Sequence, residues 1–147
     1  QMCIRDRDVK VVQCKAVEEL VQNSDIICTT TPSTTPVLPD DKELLRGKCI
    51  IAIGSYMPQM REIPDAVLEL VDNVYIELPY ACEESGDLSQ PLANGKLTKD
   101  RIKLMHEYLA SDEQEIKEGQ TTYFKSVGMG LFDVCIAQKL YEIAKEK

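Results

Sequence analysis

Apolar positions along the chain come in short bursts separated by polar turns, and the bursts alternate between two periods. Val9–Cys14 alternates and is rich in valine, which predicts a short strand. "KAVEELVQN" sets Ala16, Val17, Leu20 and Val21 at helical spacing and closes on Asn23. "DIICTTT" begins with a continuous apolar run of the kind that parallel sheets bury on both faces. Three prolines in "TPSTTPVLP" exclude a helix there. Asp40, three residues before Glu43, predicts a capped start for the short helix "DKELLR", and Gly47 stops it. The strand "KCIIAIG", a loop, the helix "PDAVLELV" and a fourth strand, "NVYIEL", follow.

Strands alternating with short helices imply right-handed βαβ crossovers and hence an α/β fold with a doubly wound parallel sheet. Beyond Leu78 the pattern changes. "YACEESGDL" predicts a short helix ending at Gly86, Asn94-Gly95 a turn, and "TKDRIKLMHEYLAS" a helix capped by Thr98. "TTYFKSV" reads as a strand or an extended approach. From Ser126 the spacing predicts one long helix with Met129, Phe132, Ile136, Leu140 and Ile143 on one face. Leu131, Val134 and Cys135 widen that stripe, so the helix is expected to be largely covered.

The 147 residues are enough for one domain with its own core, and 44% hydrophobic with 29% charged residues is a globular composition. A net charge of −8 argues against nucleic acid or an anionic membrane as partner, since no basic stripe is present to release counterions. No apolar run approaches the length of a membrane span. Six cysteines show no C-x-x-C pairing, and several stand in apolar runs. They are expected to be reduced core thiols in a cytoplasmic protein rather than disulfides or metal ligands.

Ligands of doubly wound sheets bind outside the carboxyl ends of the strands. Two such ends carry unusual loops. After "DIIC" come Thr29, Thr30, Thr31, Pro32, Ser33 and Thr34, a cluster of hydroxyls held by prolines. After "CIIAI" come Gly54, Ser55 and Tyr56, where Gly54 would admit a flat ring close to the backbone. Hydroxyls also satisfy loop backbone in many proteins, and either cluster alone would be read that way. Two clusters at adjacent strand ends point to a cofactor cleft.

Taken in order, "SDIICTTTPSTTPVL", "IIAIGSYMPQMREI", "EESGDL" and "TTYFKSVGMGLFD" resemble the ornithine cyclodeaminase/mu-crystallin family, over nearly all of the chain from about Val9 to Lys147. The resemblance implies a Rossmann-type dinucleotide-binding domain plus a second domain that dimerises and helps hold substrate. It implies NAD or NADP as cofactor and, as chemistry, reduction of small imino (ketimine) acids, interconversion of amino and keto acids, or cyclisation of ornithine. A mu-crystallin-like protein that only holds NADPH and a small ligand is the alternative. By resemblance, Thr30, Thr31, Pro32 and Ser33 lie beside the adenosine half of the cofactor. Ile53 and Gly54 would pass near the nicotinamide, Ser126 would reach the cofactor from the C-terminal segment, and Glu84 would face the small-ligand pocket. Independently of the resemblance, Ser126 is placed to cap the long helix, whose N-terminal end suits a phosphate or carboxylate, with Gly128 and Gly130 in its first turn.

Tyr56 is a departure from the family pattern, which in ornithine cyclodeaminases has a proton-transferring Asp two residues after the strand-ending Gly. A tyrosine of ordinary pKa accepts a proton poorly near neutrality, which disfavours deamination of ornithine and favours hydride transfer to a C=N bond. Tyr56 is then either a hydrogen-bond or proton donor in that step or a pocket wall. Arg61-Glu62 reads as a surface or loop ion pair of little energetic weight. His106, the single histidine, and the charged run "SDEQEIKEG" read as solvated surface, and no metal site is expected.

No G-x-G-x-x-G or G-x-G-x-x-A occurs in the chain, although a dinucleotide fold needs such a turn to seat pyrophosphate. The four strands therefore resemble the third to sixth of a six-stranded fold. The expected organisation is a non-native leader over 1–7, a partial NAD(P)-binding Rossmann domain over 8–80, and a C-terminal helical segment over 81–147. That last segment would return to an N-terminal dimerisation and substrate domain absent from these residues. The chain is thus expected to be the C-terminal half of a longer homodimeric protein, to bind cofactor poorly alone and not to turn over. The apolar stripe of its last helix would be exposed or find a substitute partner.

Overall fold

The computed structural model describes residues 10–111 and 116–145. A five-stranded, wholly parallel sheet forms its centre, in the order β1-β2-β5-β3-β4. The strands are β1 (Ile26–Thr29), β2 (Cys49–Ala52), β3 (Val74–Ile76), β4 (Ile102–Leu104) and β5 (Thr122–Lys125). Helices α1 (Val17–Gln22), α2 (Lys42–Leu45) and α3 (Asp65–Leu70) alternate with the first three strands. Helices α4 (Ala81–Glu84) and α5 (Gly86–Ala93) follow β3, α6 (Met105–Ala110) follows β4, and α7 (Gly130–Lys145) ends the chain.

The helix starts show how local chemistry sets boundaries. Asp41, rather than Asp40, caps α2 by accepting from the N–H groups of Glu43 and Leu44. Asp40 instead reaches Ala66 N–H at 2.8 Å in the first turn of α3, tying the two helices. Gly47 ends the α2 turn at φ 73°, a left-handed conformation glycine adopts without steric cost. Val21, Leu45, Ile50, Val67, Val74 and Tyr123 are fully buried, and they join helices and sheet in one core. Arg101 closes α3 from outside, donating to the carbonyls of Leu68, Val71 and Asp72.

The α/β class and parallel sheet agree with the sequence expectation; several elements do not. Val9 lies outside the described residues, and 10–14 form no strand, with Val11 and Val12 exposed. An alternating run becomes a strand only where a neighbour offers a ladder, and none lies beside it among the described residues. The segment 81–147 is not simply helical, because β4 and β5 join the same sheet as β1–β3. β4 falls inside the run predicted as one helix: pairing of Val74 with Ile102 and Ile76 with Leu104 overrides a pattern that also fits a helix. Thr98 accordingly precedes a 3-10 turn, Lys99–Arg101, and not an α-helix. The helix expected to end at Gly86 breaks at Ser85 and resumes as α5 with Pro91 inside.

β1 is an edge strand with alternate residues exposed, so burial on both faces does not hold for Ile26 or Cys28. The described cysteines are unpaired, yet none is a fully buried core thiol, and Cys28 and Cys135 are exposed; Cys3 lies outside the described residues. The last helix starts at Gly130, not Ser126, and none of its described residues is buried. Leu131, Phe132, Ile136, Leu140 and Ile143 are exposed, so no described residue of this chain covers the stripe that its width led us to expect covered.

Candidate functional site at the carboxyl edge of the sheet

The carboxyl ends of β1, β2 and β5 are adjacent, and most of the sequence-predicted cofactor residues meet there. Ile53 N–H donates to Thr29 O at 2.9 Å, so the turn after β2 lies against the end of β1. Ser126 N–H donates to Ala52 O at 3.0 Å, which brings the end of β5 against the same turn. Thr30, Pro32 and Ile53 are exposed along this edge, while Thr31, Ser33 and Gly54 are half-buried. Tyr56, half-exposed, stands in the loop leaving β2. Glu84 is exposed on α4, after β3. Tyr80, at the start of that helix, donates its hydroxyl to Gly128 O at 3.0 Å and so tethers α4 to the segment after β5.

Two residues do something other than expected. A Cβ at Gly54 would meet Thr31 O at 2.2 Å and Thr31 N at 2.3 Å. The space that glycine leaves is filled by the protein's own β1 loop, so the close approach is backbone to backbone rather than backbone to ring. Ser126 does not cap α7. Its hydroxyl donates to Glu77 Oε1 at 2.9 Å, and the same oxygen accepts from Val127 N–H and Gly128 N–H. Glu77, at the end of β3, therefore holds the donors that were expected to face a ligand. Gly128 is at φ 88°, which lets the chain turn around that carboxylate.

The largest miss is Glu62. It is not half of a surface ion pair: it is fully buried, and Arg61 pairs instead with Asp65 at 2.5 Å. Glu62 Oε1 accepts from Thr31 N–H at 2.6 Å, and Oε2 accepts from Gly54 N–H at 2.8 Å and Thr29 Oγ1 at 2.9 Å. A carboxylate with three donors is stable in the interior because its solvation is replaced bond for bond. Behind it, Asp87 Oδ1 accepts from the N–H groups of Glu62 and Ile63. Asp87 Oδ2 lies 3.4 Å from Lys125 Nζ, both side chains fully buried.

Burial pushes the Asp87 carboxyl above its ordinary range, opposed by the Ile63 N–H bond and the Lys125 charge. Burial likewise pushes the Lys125 ammonium down, opposed by Asp87. Tyr123, wholly enclosed, is driven well above the usual phenol value by burial and then by the Asp87 and Glu62 charges. A sequence signal existed for one of these residues: Lys125 is a charge at an inward position of an alternating strand, whose burial pattern shows it covered. Glu62 carried none, since a single Glu in a polar loop is indistinguishable from surface.

A separate groove of about 420 Å3 lies beyond β3 and β4, lined by Ile76, Pro79, Cys82, Leu92, Ile102 and Leu104 among others. It contains none of the predicted site residues. No group of three or more His, Cys, Asp or Glu residues suited to a metal occurs among the described residues. No helix of the described residues is long and apolar enough to cross a membrane.

The Delta(1)-pyrroline-2-carboxylate reductase of Bacillus cereus (strain ATCC 10987 / NRS 248) is 35% identical over 135 residues, covering 90% of this chain and 41% of its own. The ketimine reductase mu-crystallin of Rattus norvegicus is 31% identical over 135 residues, covering 92% and 40%. The Thermococcus litoralis Delta(1)-pyrroline-2-carboxylate reductase, solved with NADH and L-proline, shares the fold at TM-score 0.75 and 24% identity, covering 90% of this chain and 42% of its own. The chain thus spans about two-fifths of the length of these relatives. The profile of the ornithine cyclodeaminase/mu-crystallin family matches residues 1–147, and the chain belongs to that family.

Proposed function

We propose that the carboxyl edge of β1, β2 and β5 forms one wall of an NAD or NADP site in an oxidoreductase that reduces small cyclic imino acids. The observation that carries this is the convergence of the Thr30–Ser33 loop, the Ile53–Gly54 turn and Ser126 at three neighbouring strand ends of a parallel sheet. Ligands of such sheets bind at that edge. The two relatives with 31% and 35% identity are named as reductases of pyrroline-2-carboxylate and of ketimines, which supports the same substrate class.

The residues present fit a dinucleotide in part. Thr30, Pro32 and Ser33 would border the adenosine half, and Ile53 would give the nicotinamide an apolar surface. The 147 residues hold no Gly-rich pyrophosphate turn, so this wall alone does not grip the diphosphate. The nicotinamide supplies a hydride when bound. The chain's own residues would orient and shield: in this reading Tyr56, half-exposed on the loop beyond Gly54, either donates its hydroxyl to a substrate nitrogen or carboxylate or serves as a pocket wall. Glu84, exposed on α4, would face the small-ligand side. The active species in this proposal is a cytoplasmic homodimer longer than the present chain.

The test is to offer protein carrying this chain NADH or NADPH together with a cyclic ketimine acid and to follow absorbance at the nicotinamide band. Consumption of reduced cofactor only when the ketimine is present supports the proposal. Cofactor binding with steady absorbance would replace it with a ligand-holding protein of the mu-crystallin kind. Ammonia and proline from ornithine without net cofactor use would replace it with cyclodeamination.

A further inference from the structure

We propose that Glu62 is a positioning residue for the dinucleotide, acting through the two loops it joins; this rests on the functional proposal above. Its side chain is fully buried and so does not touch a ligand at the edge. Each of its oxygens is committed to a different part of the wall. Oε1 holds the β1 loop through Thr31 N–H, and Oε2 holds the turn after β2 through Gly54 N–H and the end of β1 through Thr29 Oγ1.

The tie continues behind the carboxylate. Glu62 N–H donates to Asp87 Oδ1 at 2.7 Å, and Asp87 faces Lys125, the residue before Ser126, at 3.4 Å. One buried line of charge therefore runs from the β1 loop to the end of β5, touching all three sides of the candidate wall. Charge-assisted bonds in a buried setting resist stretching more than neutral ones, so the spacing between Thr31 and Gly54 follows the carboxylate. Replacing it by an amide keeps the shape but presents an N–H2 group to N–H or O–H donors on one side.

The experiment uses the full-length protein that carries this chain, labelled with nitrogen-15 and titrated with NADH to millimolar concentration while the amides of Thr31, Gly54 and Ser126 are followed. The wild-type protein is expected to show saturable shifts at these amides. Glu62→Gln is expected to raise the NADH dissociation constant by about tenfold, with Glu62→Asp recovering part of the loss. Thr29→Val, which removes one donor and keeps the carboxylate, is expected to raise it about threefold and carries the test where Glu62→Gln does not fold. Amides of β3 and β4 should keep their wild-type positions in every folded variant.

Full-length wild-type protein with no NADH-dependent shift overturns the functional proposal and this one with it. Wild-type binding that both Glu62→Gln and Thr29→Val leave unchanged overturns the positioning role alone. So does a loss of affinity that merely tracks a fall in thermal stability across the variants, because the carboxylate would then serve the fold and not the cleft.

Discussion

Gly54→Ala isolates the contact between the first two strand ends. The added Cβ would lie 2.2 and 2.3 Å from the backbone O and N of Thr31, and 2.7 Å from Glu62 Oε1, where ordinary contact begins at 3.4 Å. Backbone on one side and a fully bonded carboxylate on the other leave no flexible end to move aside. The β1 loop must retreat by about an ångström, which overpacking series put at about 1–3 kcal/mol. That retreat also stretches Thr31 N–H to Glu62 at 2.6 Å and Gly54 N–H to Glu62 at 2.8 Å. Weakening bonds to a buried charge adds about 1.5–3 kcal/mol, so the expected loss is about 2.5–6 kcal/mol. Urea unfolding followed by far-ultraviolet circular dichroism measures it, with Gly130→Ala as control because nothing lies within 4 Å of a Cβ there. A Gly54→Ala loss below about 1 kcal/mol, or one no larger than that of the control, would refute the assigned packing.

Arg101→Met should cost about 2 kcal/mol, because three carbonyls at the end of α3 lose their donor. Arg101→Lys should restore little, since a point charge cannot serve all three; full rescue in urea unfolding would contradict this. Lys96 and then Arg61 hold the Asp65 carboxyl below its ordinary value of 3.8. A depressed folded pKa gives stability that is present above 3.8 and lost as pH falls through the folded value. The thermal midpoints of wild type and Asp65→Asn should therefore differ at neutral pH and converge in acid; a gap constant with pH would count against the ion pairs. Ile136→Gln with Leu140→Gln should change stability by less than about 1 kcal/mol, as both side chains face solvent. Sedimentation should show the double variant self-associating less than wild type; equal association would mean the stripe is not the contact surface.

Much of the architecture follows from local pattern. Runs such as "DIICTT" and "KCIIAIG", each followed by a short amphipathic helix, determine α/β class and parallel pairing, because only crossovers connect such strands. The proline- and hydroxyl-rich loop and the Gly54 turn were visible at adjacent strand ends for the same reason.

What pattern did not determine depends on partners distant in sequence. "RIKLMHEYLA" suits a helix until β3 offers Ile102–Leu104 a ladder, and residues 10–14 suit a strand, yet no strand among the described residues pairs with them. The insertion of β5 between β2 and β3 is likewise a tertiary choice, since strand order is not written in local periodicity. The charges show the limit most sharply. Glu62 and Asp87 resemble surface residues in one dimension, because a charge is solvated by default and leaves water only where donors and counter-charges are assembled around it. Apart from the Gly54 N–H, 8 positions away, those partners come from residues 24 to 38 positions away: Thr29, Thr31, the Glu62 and Ile63 amides, and the Asp87–Lys125 pair itself. Local sequence determined which segments could form the sheet and its loops, and the tertiary structure decided which charges bind those loops together.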